Sequence, residues 1–252
     1  MLNPFRTLGS TFRDLFDEFL LLIMCNLIWM AVCAPLWWFA LIISGAGAPL
    51  FGVLIALLGV VPAGPATLAL TVVSLRISEG RATSVGDFLR AFRTFPRQGW
   101  ALMGGWIAGV LILLFNMSFY LGWQDLIGGL MLGIWFYALL VWMALLIYAF
   151  PLLLLQEEPN LRLVVRNAAL MALGRPVFTG VTLLLMGVWV GLSVVLVVPV
   201  LMITVAVLNL WSVRATVALI EFQRARQEAE AAAATPNPPS EERGRKGQVR
   251  PK

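Results

Sequence analysis

The chain has 252 residues, of which 60% are apolar and only 12% charged, with a mean hydropathy of +0.89. A body in water carries charge on about 25% of its residues, so too little polar surface remains here and the lipid bilayer must be the main solvent. Histidine is absent, which removes the commonest general base, metal ligand and pH switch. No Walker-type loop, G-x-S-x-G elbow or pair of intramembrane carboxylates takes its place. The chain is therefore read as non-enzymatic, with no cofactor and no metal.

The N-terminal segment 1–18 contains Phe12-Arg13-Asp14-Leu15-Phe16, an amphipathic stretch ahead of the first uncharged run. That run, Phe19 to Leu75, far exceeds the ~20 residues of one crossing and must fold back on itself. The small residues from Ser44 to Ala48, followed by Pro49, supply the turn, which gives spans at 19–43 and 50–75. The apolar stretch before Ala46-Gly47-Ala48 is much longer than the roughly 7–15 residues of a signal-peptide core, so cleavage there is not expected. Cys25 and Cys33 would stand about 12 Å apart along a helix, too far for a disulfide, and are expected as free buried thiols.

Asn26 is a rare polar group within the first span, and the second carries Pro62, Gly64, Pro65 and Thr67 close together. Two prolines remove two backbone donors and should break or bend this helix, with the Thr67 hydroxyl available to a freed carbonyl. Broken helices can line transporter sites, so Asn26 and Thr67 are candidate solute contacts. A purely structural kink is the simpler reading.

After the second span, Ser84 followed three residues later by Asp87 is a helix N-terminus signature. Phe88, Leu89, Phe92 and Phe95 then share one helical face, Arg90, Arg93 and Arg97 the other, and Pro96 ends the pattern. Such a helix is expected in the headgroup plane, aromatic side down, with its arginines toward anionic lipid. The uncharged runs Gln98–Gln124 and Leu126–Gln156 give spans at 99–120 and 128–152, joined by a short loop with Trp123 and Asp125 at the membrane edge. A second interfacial helix is predicted over Leu161–Leu173, carrying Arg162 and Arg166. The last uncharged run, Pro176–Val213, is too long for one crossing and is divided at Pro199 into spans 178–196 and 200–220. Arg214 then falls inside the final span, where it must snorkel or face the bundle interior.

Three spans carry G-x-x-x-G: Gly105 and Gly109, Gly129 and Gly133, Gly187 and Gly191. Close helix packing within the chain is expected at these pairs, with a homo-oligomer face as the alternative. From Glu228 onward the composition turns to Glu, Ala, Pro, Ser, Arg and Lys, which cannot bury a core and is expected to be disordered. The basic residues of this tail are interleaved with acids, so nucleic acid is not an expected partner.

Six spans place all 18 basic residues on one side of the membrane, whereas five would strand the C-terminal group on the other. The positive-inside rule thus favours six, with both termini cytoplasmic. The predicted fold is all-α: a polytopic transmembrane helical bundle of six spans as three hairpins with interfacial amphipathic helices. It comprises an N-terminal segment 1–18, a membrane domain 19–222 and a largely disordered tail 223–252.

Four segments in this order, Asn26-Leu27-Ile28-Trp29, Gly64-Pro65-Ala66-Thr67-Leu68-Ala69-Leu70, Asp87-Phe88-Leu89-Arg90-Ala91-Phe92-Arg93 and Arg166-Asn167-Ala168-Ala169-Leu170, resemble the YesL-like family of bacterial integral membrane proteins. The chain departs from that pattern in the long stretch between Trp29 and Gly64 and in its tail. The resemblance implies a multi-pass inner-membrane protein of unknown biochemical activity, associated with a carbohydrate transport system as an accessory or scaffold and contacting a transporter subunit. The alternative is a small-solute transporter that uses the kinked second span.

Overall fold

The computed structural model describes residues 2–123, 125–156, 160–197 and 202–234. Its helices are α1 (Pro4–Asp17), α2 (Phe19–Gly45), α3 (Pro49–Leu58), α4 (Val60–Ser78), α5 (Val85–Thr94), α6 (Pro96–Leu121), α7 (Leu126–Leu155), α8 (Leu161–Gly174), α9 (Pro176–Leu196) and α10 (Thr204–Ala234). Six helical segments among the described residues are long and apolar enough to cross a membrane: α2, α3 with α4, α6, α7, α9 and α10. The protein is an all-helical, multi-pass membrane bundle. Pro199, the expected reversal point, lies outside the described residues.

The boundaries follow from local chemistry. Asn3 accepts the amide of Phe5 with Pro4 in the first turn of α1, and Asp125 and Asn160 accept the amides of Gly128 and Arg162 at the starts of α7 and α8. Pro96 and Pro176 open α6 and α9, where a missing N–H costs nothing. The expected break at Pro62 and Pro65 is displaced upstream, to Gly59 between α3 and α4. Pro62 falls in the first turn of α4, whose amides lack intrahelical acceptors in any case, so only Pro65 interrupts the ladder inside α4.

Two apolar clusters share α10 as a common wall. Leu22, Leu70, Val73 and Phe88 meet Val207 and Leu210 in one; Tyr148, Leu153 and Val164 meet Trp211 and Leu219 in the other. The central stretch of α4, Ala63 to Thr71, is buried throughout. The opposite condition holds for Phe115, Leu126 and Val195, which are largely exposed, as side chains facing hydrocarbon must be. α10 packs chiefly on α4, α7 and α1 and only sparingly on α9.

Of the segment 223–252, the part as far as Ala234 continues α10 as helix. Its Ala, Glu, Gln and Arg residues are strong helix formers, and Arg226 pairs with Glu230 one turn on at 2.7 Å. Residues 235–252 lie outside the described part. Helix α5 does not rest aromatic side down on lipid: it folds back along α4, with Phe88 and Ala91 buried and Phe92 and Phe95 packed against the same core.

Candidate functional site

The polar residues picked out in the first two spans are brought together where α2, α4 and α10 meet. Asn26, fully buried, accepts the amide of Ala206 at 3.0 Å, capping the first turn of α10 from a neighbouring helix. Thr67 accepts the indole N–H of Trp29 at 3.1 Å. One turn on, Thr71 donates to the Asn209 side chain at 2.8 Å. Each of these groups holds one helix against another, and in hydrocarbon such bonds add modestly to the association.

Trp100 supplies what Thr67 was expected to. Pro65 has no N–H to give to the carbonyl four residues back, that of Val61, and the indole of Trp100 on α6 donates to it at 2.6 Å. The same arrangement recurs at Pro151 inside α7: the carbonyl it leaves free belongs to Ile147, and the Ser212 hydroxyl on α10 donates to that oxygen. Neither partner was singled out in the sequence. A proline inside a span identifies the free acceptor by subtraction of four, but the donor comes from a distant helix.

Glycine contacts also differ from expectation. A Cβ on Gly64 would collide with the backbone of Gly99, so α4 and α6 touch main chain to main chain. Gly109 lies under the Trp142 ring, whose indole donates to the Trp106 carbonyl at 2.9 Å. Around Gly105, Gly129, Gly133, Gly187 and Gly191 a Cβ would meet nothing within 4 Å. These five do not mediate packing within the chain; spacing alone does not say which helix face meets a neighbour.

Charged groups form two sites, one at the end of α4 and one in the last turn of α1. Asp87 accepts the Ser84 amide and hydroxyl, each at 3.0 Å, and pairs with Arg76 of α4 at 2.8 Å and with Arg90 at 3.8 Å. The Ser84 hydroxyl, then the Ser84 amide and the two guanidinium groups, hold the Asp87 carboxyl below its ordinary range. The second site answers the question posed by Arg214, which pairs with Asp14 of α1 rather than snorkelling. A cleft beside this pair is lined by Arg13, Asp17, Glu18, Glu79 and Arg81. Arg93 and Arg97 are exposed. Cys25 and Cys33 are buried and free.

No protein-family model matches the chain, and comparison with curated proteins and with solved structures gives no match either.

Proposed function

We propose that the chain is a non-enzymatic accessory or scaffold protein of a bacterial inner membrane, with both termini cytoplasmic, that docks a transporter subunit through its spanning helices. The observation that carries this reading is a division of labour. Asn26, Thr67, Thr71 and Ser212 are spent on holding helices to one another, while on α7 and α9 a Cβ at Gly129, Gly133, Gly187 or Gly191 would meet nothing within 4 Å. Such surfaces admit another membrane helix at close range.

The resemblance to YesL-like proteins supports the transport association, and a carbohydrate carrier is the partner it suggests. The arginines supply a basic face for anionic lipid on the cytoplasmic side. We read the six spans as three pairs, each entered through a short helix; α1, α5 and α8 are each separated from the following span by one residue. The solute-carrier alternative draws less support, because Asn26 and Thr67 already have protein partners.

Purification in mild detergent from the native membrane, followed by mass spectrometry, tests the proposal. A transporter permease should accompany the protein and be lost from a Gly129→Leu/Gly133→Leu variant. Recovery of the protein alone, across several detergents and in native nanodiscs, would refute it.

A further inference from the structure

We infer that the groove between α6, α7 and α8 is a seat for one acyl chain of an anionic phospholipid, whose phosphate is met by Arg97 and Arg162. This deepens the proposed function, since it rests on the reading that the arginines face a lipid headgroup layer. The groove holds a cavity of about 130 Å³, with walls that are almost wholly apolar. Ala101, Gly105 and Trp106 of α6, Trp142 and Ala149 of α7 and Val165 of α8 form its sides. An apolar groove of this volume has room for a short length of hydrocarbon chain, which an acyl chain can supply.

Its charge indicates the occupant. Arg97, Ala101 and Gly105 follow one another at four-residue intervals, so Arg97 stands one turn beyond the groove on the same face of α6. Arg162 adjoins Leu161, which also lines the groove, and both arginines are exposed. Among the described residues neither enters an ion pair; the pairs present are made by Arg76, Arg81, Arg90, Arg214 and Arg226. An apolar slot with an exposed guanidinium one turn beyond it on α6 and another beside Leu161 on α8 matches a hydrocarbon tail ending in a phosphate.

Gly105 also provides a clean probe. A Cβ added there would meet nothing within 4 Å, and Gly105 lines the groove, so a larger residue has room at its base and blocks the slot. The full-length protein is reconstituted in vesicles of equal phosphatidylglycerol and phosphatidylcholine, re-extracted in mild detergent and weighed by native mass spectrometry. Wild type should retain one phospholipid, with phosphatidylglycerol preferred by about fivefold or more for each arginine.

Gly105→Leu, or Ala101→Leu as a second plug, should remove the retained lipid, while Gly133→Leu, also open but outside the groove, should keep it. Arg97→Gln with Arg162→Gln should keep a lipid but lose the preference. Wild type that retains no lipid, or retention unchanged in both plugged variants, would overturn the inference. A polypeptide held in the groove instead of lipid would overturn it too. Loss of the permease in the purification described above leaves this measurement untouched, so the two proposals fail separately.

Discussion

Trp100 donates its indole N–H to the carbonyl of Val61 at 2.6 Å, the acceptor left without an intrahelical donor by Pro65. The tryptophan on α6 thus completes the hydrogen bonding of α4. Trp100→Phe keeps an aromatic ring but removes the donor, and should destabilise the protein by about 1 kcal/mol. In a Pro65→Ala background the alanine N–H can take the carbonyl, so the same change should then cost much less. Unfolding in mixed micelles, arranged as a double-mutant cycle, measures the difference; equal costs in both backgrounds would show that the bond does not answer the proline.

At the α4–α6 contact, Gly64→Leu or Gly99→Leu forces two backbones apart. The expected loss is about 1–3 kcal/mol or more, by overpacking. Gly187→Leu, at an open position, should change thermal stability in detergent very little. Similar melting temperatures for all three variants would contradict the assigned contact.

The pair between Asp14 and Arg214 fastens α1 to α10, with side chains 13% and 25% exposed. That exposure places it between surface pairs and fully buried ones, so Asp14→Asn should cost roughly 1–2 kcal/mol. It should also raise amide hydrogen exchange along α1. The exchanged pair Asp14→Arg with Arg214→Asp should restore protection, which a purely steric role for either residue would not allow.

A pH dependence follows from Asp87. Its carboxyl is held below the ordinary range in the folded protein, so the folded state favours the charged form. The resulting stabilisation is fully present above the unfolded value of about 3.9 and is lost as pH falls below it toward the depressed folded value. Hydrogen exchange in α5 should therefore accelerate as pH drops through this window, after correction for intrinsic rates. Asp87→Asn should show less protection at neutral pH and no further change on acidification.

Much of the architecture was legible because intramembrane charge is so costly that uncharged runs mark spans almost directly. Five predicted spans coincide closely with α2, α3 with α4, α6, α7 and α9, while α10 begins at Thr204 in the described residues. Local capping chemistry likewise placed α5 from Ser84 and Asp87. What could not be read was which faces meet. Phe88 and Phe92 have the same amphipathic spacing whether the apolar side is lipid or α4, and Gly105 has the same motif whether or not a helix lies beside it. The candidate polar residues Asn26 and Thr67 were found by their rarity. Their partners Ala206 and Trp29 depend on long-range packing, which periodicity does not encode.

The two proline-linked bonds also bear on biosynthesis. Val61 leaves the ribosome well before Trp100, and Ile147 well before Ser212, so each exposed carbonyl must wait in the translocon or the lipid for a donor not yet made. Asn26 waits longer still, for the amide of Ala206. The early helices of this chain can thread the membrane on arrival, but Asn26, Thr71 and Ile147 acquire these partners only when the last helix enters, and a nascent chain stalled before Ser212 would remain an open, unlatched intermediate.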